Sequence, residues 1–470
     1  MKKIKEIVDL VLASLKQRIA ATTRGGWIRA GIWGTLYVVF IFWVAWDDWS
    51  SLAWLLLLPF ILDIFTTKYI NYGWWRKYKE TKPWLYRVLS WVDAIVFALV
   101  AVYFINLYIF QNYQIPSSSL EKTLLVGDFL YVDKMAYGPR VPMTPLSMPL
   151  VQHTLPAWLG GGQSYISKPH WQYKRLKGWR HPEKGDIVVF NFPAGDTVVV
   201  GCENPDYYTL KYMAEKYGYG ALSARYGIRI TKHDLQHLKA RPVDRRENYV
   251  KRCVGTPGDS LKIVENVIWT KTNDAWQQEP EREGIQMNYY VRTDGSKLSD
   301  KYLDEIGISR DDRMSGKGTY HFPLTKEMKA AMEKNRHIVS IEVERDAEGE
   351  VYPLGHNDWT RDNYGPIYIP RKGDKILITE ENYWLYKRIA DAYEFKPMKI
   401  GKEYTFEMDY FWMMGDNRHK SADSRYWGFV PEDHIVGRPL FIWLSIDKDK
   451  PWFKGRIRWD RIGKRVTNCD

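Results

Sequence analysis

The chain has 470 residues, room for about three domains, and carries 68 Lys and Arg against 56 Asp and Glu, a net charge of +12. With 45% hydrophobic and 26% charged residues it is not disordered, and a mean hydropathy of −0.42 excludes a mainly membrane-embedded transporter. Three scattered cysteines, Cys202, Cys253 and Cys469, exclude a disulfide framework and a four-thiolate zinc site.

Half of the excess charge lies in residues 1–110, whose net charge is +6. Within them, residues 30–46 carry no charge, 50–67 carry only Asp63 and 91–110 only Asp93. Each run approaches the ~20 residues that cross ~30 Å of hydrocarbon, which predicts three transmembrane helices. Lys2, Lys3, Lys5, Lys16, Arg18, Arg24 and Arg29 precede the first run, and Lys68, Arg76, Lys77, Lys79, Lys82 and Arg87 separate the second from the third. The first link holds Asp47 and Asp48 instead. Cations favour the cytoplasmic side, so a multi-pass anchor in the cytoplasmic membrane is expected, with everything after Phe110 on the extracytoplasmic side. Trp27, Trp46, Trp49, Trp74, Trp75, Trp84 and Trp91 form the matching aromatic belt. No small-residue cleavage pattern follows the first run, which favours retention of the anchor. Pro59 and Asp63 keep a re-entrant reading of 50–67 open.

From residue 111 short alternating runs broken by Gly and Pro predict mostly β-structure, as in 186–190, 249–254 and 440–444, with charged helical pieces near 205–240 and 300–335. Four stretches carry chemistry. The first is 114–134, QIPSSSLEKTLLVGDFLYVDK, where Pro116 imposes an extended approach and Ser117 and Ser119 point the same way. The second, 184–193, is a strand entered through a turn. The third, 249–259, YVKRCVGTPGD, puts Tyr249, Lys251 and Cys253 on one strand face and Val250 and Arg252 on the other. The fourth is 410–431, YFWMMGDNRHKSADSRYWGFVP, a strand running into a polar loop.

Together, behind an anchor, these stretches resemble the boxes of bacterial type I signal peptidases, the membrane's Ser/Lys leader peptidases of peptidase family S26. The resemblance implies a serine endopeptidase that removes N-terminal signal peptides from exported preproteins without metal or cofactor. It assigns Ser119 as nucleophile, Lys251 as general base, Ser117 as oxyanion donor and Ser421 as the hydroxyl orienting the lysine, with Asp416, Arg418, Asp423 and Arg425 supporting them. Substrate pockets would be lined by Tyr113, Ile115, Leu120, Leu124, Leu130, Val189, Tyr249 and Val250. Where the family has Gly, Met and Pro around the nucleophile, this chain has Ser118, Leu120 and Lys122, which puts pocket shape and loop rigidity in question.

The implied fold is a mainly β catalytic domain of signal-peptidase type, with an inserted accessory α+β region, behind three transmembrane helices. The catalytic core would comprise 111–200, 249–259 and 406–447, interrupted by insertions at 201–248 and 260–405 and followed by a tail at 448–470. Expected partners are signal peptides of exported preproteins and membrane lipid, with no nucleic acid, and a monomer suffices. Apolar residues of 142–171, including Leu146, Met148, Leu150, Trp158 and Trp171, are either a lipid-dipping rim or core. His233 and His237 have metal-like spacing without the glutamate of zinc proteases, and Gly160 to Gly162 lack the Lys-Ser/Thr of a phosphate loop. Cys202 and Cys253 could pair, or Cys253 could pack beside Lys251. The competing reading is a catalytically silent, membrane-anchored binding protein on the same scaffold; a self-cleaving repressor-type protease is disfavoured by the anchor.

Overall fold

The computed structural model describes residues 2–44, 49–193, 197–199, 206–227, 229–233, 235, 238–272, 274–315, 318–345, 350–451 and 455–466. Its chain forms two compact units, residues 1–105 with 174–177 and residues 106–173 with 178–470.

In the first unit, two helices among the described residues are long and apolar enough to cross a membrane, Arg24–Trp43 and Pro83–Tyr108. The run expected as a further helix at 50–67 is instead a 3-10 segment, Trp49–Leu57, followed by a short α-helix, Leu58–Phe65. Pro59 explains the break: without an N–H it fits the first turn of a helix but cannot continue a ladder from the preceding turn. This segment runs antiparallel to the first long helix. Tyr37 Oη donates to the Trp54 carbonyl at 2.6 Å, a methyl on Gly34 would touch Leu62 and Leu58, and one on Gly26 would collide with the Phe65 carbonyl. Asp63 is buried at the end of the hairpin and accepts the Tyr69 and Ile70 N–H groups at 2.7 and 3.0 Å, so it closes a turn. Trp46, Asp47 and Asp48 lie outside the described residues. The last long helix stops at Tyr108, and Phe110, expected inside the span, begins a strand.

The second unit is built on an antiparallel seven-stranded sheet. Its strands are β1 (Phe110–Gln114), β2 (Asp128–Asp133), β3 (Ile187–Asn191), β4 (Asn248–Gly255), β5 (Tyr410–Met414), β6 (Val430–Pro431) and β7 (Ile435–Ser445), in the order β1-β2-β7-β3-β4-β5-β6. Strand periodicity buries both faces. Ile187 and Val189 of β3 join a cluster with Ile115, Leu124 and Leu130, while Val188 and Phe190 join Cys253, Met413 and Trp427 on the other side.

The hydrophobic core crosses the boundary expected at residue 260. A second sheet, in the order Tyr364–Tyr368, Ser260–Val264, Val267–Thr272 and Ala275–Gln278, shares its core with Tyr410, Trp412, Met414 and Phe429. Helix Glu380–Ala392, which no sequence signal anticipated, adds Leu385, Tyr386 and Ile389 to that core. The middle of the insertion has an apolar cluster of its own. There Met287–Thr293, Thr319–Leu324 and Ile338–Val343 enclose Val291, Phe322 and Met332 with helices Asp300–Ile306 and Lys326–Glu333. Those two helices and Tyr207–Tyr226 are the charged helical pieces expected from sequence. Along 142–171, Leu146, Met148, Leu150, Trp158 and Trp171 are exposed and form no core.

Candidate active site

Pro116 and Ser117 arrive extended, as expected, with Ser117 at φ −129° and ψ 157°. The chain then turns: Ser118–Leu120 form one turn of 3-10 helix, so Ser119 sits on a bend and not in a continuing strand. The bend keeps the two hydroxyls on one side, with Ser117 Oγ 3.5 Å from Ser119 Oγ. Three contacts from Gly415 and Asn417 fix this turn. The Asn417 N–H donates to the Ser119 carbonyl at 3.1 Å, Asn417 Nδ2 donates to the Ser118 carbonyl at 3.3 Å, and Gly415 lies so close that a Cβ would stand 2.5 Å from the Ser119 carbonyl oxygen and 2.3 Å from Ser421 Oγ. Only glycine allows the polar loop this approach.

Lys251, in the middle of β4, reaches the turn. Its Nζ lies 2.6 Å from Ser119 Oγ, and both residues are buried. On its own face Lys251 is flanked by Tyr249, whose ring centroid is 5.6 Å from Nζ, and by Cys253. Among the described residues no carboxylate lies within ion-pair distance of Lys251. Burial therefore dominates and lowers its pKa to about 8, against a smaller opposing pull from Asp423 and Asp416.

Those two carboxylates are neutralised by their own arginines. Asp416 accepts two hydrogen bonds from Arg252, Nε at 2.8 Å and Nη2 at 2.7 Å, and a third from Thr123 Oγ1 at 2.7 Å. Burial would raise the Asp416 carboxyl, but the Arg252 guanidinium holds it below the usual range. Asp423 caps the short helix Ser424–Trp427 and pairs with Arg425 Nε at 2.9 Å and Nη2 at 2.8 Å, which likewise holds its pKa low despite burial. Arg418 points elsewhere, to Glu279 Oε2 at 2.7 Å. Ser421 Oγ is buried beside Asp423, whose carboxyl it helps to hold low, and makes no hydrogen bond to Lys251.

Seven of the eight expected pocket residues, Tyr113, Ile115, Leu120, Leu124, Leu130, Val189 and Val250, meet in one apolar cluster. Tyr249 joins the opposite cluster, stacking on Phe192 at 4.8 Å and meeting Trp427 edge-on at 5.4 Å. Sequence reading passed over Arg252 and Asn417. Alternation along β4 places Arg252 opposite Lys251, but no local pattern says that Asp416 awaits it. Cys253 is a buried free thiol, and Cys202 and His237 lie outside the described residues.

The family model described as signal peptidase, peptidase S26, matches residues 88–303 and 367–444, together more than half of the chain. Signal peptidase I of Buchnera aphidicola from Acyrthosiphon pisum is 26% identical over 366 residues, covering 77% of this chain and 77% of that protein. Signal peptidase I of Haemophilus influenzae is 26% identical over 379 residues, 79% of this chain and 74% of that protein. Signal peptidase I of Helicobacter pylori is 22% identical over 391 residues, 81% of this chain and 92% of that protein.

Proposed function

The chain belongs to the S26 family of signal peptidases, and from that premise we propose that Ser119 and Lys251 form the dyad with which it cuts signal peptides from preproteins. The observation that carries this reading is the 2.6 Å approach of a buried lysine, low in pKa, to a serine hydroxyl held on a turn. A lysine at its reference pKa of ~10.4 is protonated at neutral pH and cannot act as a base. At about 8, roughly a tenth is neutral at pH 7.

Neutral Lys251 accepts the Ser119 proton as Oγ attacks the scissile carbonyl. The resulting ammonium gives that proton to the departing amine, and the amine form then deprotonates the water that hydrolyses the acyl-enzyme. Ser117 Oγ, 3.5 Å from Ser119 Oγ, stands where it can donate to an oxyanion forming on the attacked carbonyl. Ser421 shares the burial of the site and would orient the lysine through a rotation of its hydroxyl. β1 lies at the sheet edge and leads directly into Ile115 and the serines, a geometry suited to an extended peptide pairing as an added strand. The apolar cluster around Ile115 and Leu124 would receive the small side chains preceding the cleavage point.

The anchor supports an extracytoplasmic site through the hairpin. Nine 3-10 residues at ~2.0 Å and eight α-helical residues at ~1.5 Å reach ~30 Å, the thickness of the hydrocarbon layer. A chain that crosses out along Arg24–Val44 and back along Trp49–Phe65 crosses out again along Pro83–Tyr108, with Ser119 following. Exposed Leu146, Met148, Leu150, Trp158 and Trp171 suit lipid contact. Cleavage of a model preprotein by the full chain, with Ser119→Ala alongside, tests the reading; loss of cleavage is expected, and retained activity overturns it.

A further inference from the structure

Lys122 occupies the position where the resemblance implies proline, and the structure makes it the most unusual residue of the nucleophile turn. Its φ is 75°, a left-handed value that costs free energy for any residue with a side chain and that proline, fixed near −65°, cannot adopt. The turn that carries Ser119 therefore follows a different path from a proline-stiffened one, and something outside the turn must hold it. Besides Asn417, a holding group lies 185 residues away in sequence: Lys122 Nζ donates to the carbonyl of Gly307, the residue that ends helix Asp300–Ile306 in a left-handed cap. A cation at a helix C-terminus meets unpaired carbonyls there.

The same short segment makes a second tie. Asp312, 3% exposed, accepts from Lys420 Nζ at 2.8 Å, and Lys420 directly precedes Ser421. Gln286, directly before the strand that opens this part of the insertion, adds a backbone seam, its N–H donating to the Asp416 carbonyl at 2.9 Å and its carbonyl accepting from the Arg418 N–H at 2.8 Å. Residues 304–366 are the stretch that the family model leaves unmatched between its two blocks. The contacts at Gly307 and Asp312 thus reach the site from a stretch outside the residues that the family model matches.

We propose that the segment 304–312 is a clamp on the active site, and that Lys122 is a positioning residue through which it sets the presentation of Ser119. This rests on Ser119 being the nucleophile. A clamp of this kind acts on the reacting geometry and not on the apolar pocket, so its loss reads in kcat and leaves KM in place.

The test measures kcat, KM and the thermal midpoint of the detergent-solubilised full chain on a model preprotein. Lys122→Met keeps the stem and removes the donor; kcat is expected to fall about tenfold with KM within about twofold. Lys122→Arg can still donate to Gly307 and is expected to keep at least about half of the wild-type kcat. Lys122→Gly suits the backbone but has no donor, and is expected to behave like Lys122→Met. Wild-type kcat in Lys122→Met or in Lys122→Gly overturns the clamp, as does an arginine variant no better than methionine. If Lys122→Met does not fold, Asp312→Asn decides: about threefold lower kcat at unchanged KM supports the clamp, and unchanged kcat overturns it. An active Ser119→Ala would instead remove the premise, an outcome distinct from an inactive Ser119→Ala beside a fully active Lys122→Met.

Discussion

Two cations stand next to each other on β4, and the two faces of that strand treat them in opposite ways. Arg252 meets Asp416 in a two-toothed pair with a third bond from Thr123, so its charge is matched in full. Lys251, one residue earlier, meets a hydroxyl, an aromatic ring and a thiol-bearing wall, and has no carboxylate at ion-pair distance among the described residues. The first arrangement fixes a charge and the second discourages one. Burial is common to both, so partner chemistry decides which buried cation is held as a structural rivet and which is left ready to lose its proton.

Removing the amine breaks this comparison most severely. Lys251→Met should lower cleavage by ~10⁴-fold or more, because a serine without its base is a weak nucleophile. The same variant should melt higher than wild type at pH 7. Holding a lysine at about 8 against a reference of ~10.4 costs ~3 kcal/mol of stability wherever both the folded and unfolded chains are protonated, that is below about 8. Between about 8 and ~10.4 the unfolded chain binds a proton that the folded one does not, so wild-type stability rises with pH. The gap between Lys251→Met and wild type should therefore close over that window. An unchanged melting point at pH 7 would show that Lys251 carries no such penalty.

On the opposite face the expected sign reverses. Asp416→Asn leaves the Arg252 guanidinium buried without its counter-charge, and should cost ~3–5 kcal/mol, read from denaturant or thermal melts. Because Arg252 holds the Asp416 carboxyl low, its contribution is present above the unfolded carboxylate pKa of ~3.9 and disappears as pH falls through the lower folded value. One face is thus relieved by raising pH and the other undone by lowering it.

The pH dependence of wild-type cleavage is a gentler probe. If neutral Lys251 is the base, kcat/KM rises about tenfold per pH unit below about 8 and levels above it. A profile already flat at pH 6 would sink the assignment.

The face that carries Lys251 was legible in the sequence because its arrangement is written locally. Strand alternation alone sets Tyr249, Lys251 and Cys253 on one side, and the serines of 117–119 stay together through their turn. Tyr113, Leu130, Val189 and Val250 come from four strands of one sheet and Ile115, Leu120 and Leu124 from the serine segment that joins β1 to β2, so these expected pocket residues converge through the sheet order. Tyr249 went to the other cluster because it directly precedes Val250 on β4, and alternation turns consecutive residues to opposite faces. The structural face was illegible: Arg252 and Asp416 lie 164 residues apart, with the insertion between them, and no periodicity links them. The boundary at 260 failed similarly, because Leu261 and Ile263 look like the start of a new region yet pack against Trp412 and Phe429. In the anchor, composition marked 50–67 as apolar, but Pro59 made it a 3-10 segment plus a short helix.

Cys253 offers the smallest perturbation and separates two explanations of the dry face. The thiol is fully buried, two residues along from Lys251, and burial pushes its pKa far up, so it neither ionises nor shares the lysine's proton at working pH. Its Sγ makes one weak bond, to the Gly255 carbonyl at 3.5 Å. Cys253→Ala removes a single heavy atom and should cost ~1 kcal/mol in a melt, with activity within a few-fold of wild type. The informative readout is the acid limb of the pH profile. If Lys251 is kept low by the wall as a whole, by Tyr249, Val188 and Met413 together, one missing sulfur leaves room too small for water and the limb moves by less than about half a unit. A shift toward ~10 would mean that the thiol itself is the barrier to solvent, and that the reacting face depends on one atom where the structural face depends on a pair of charges.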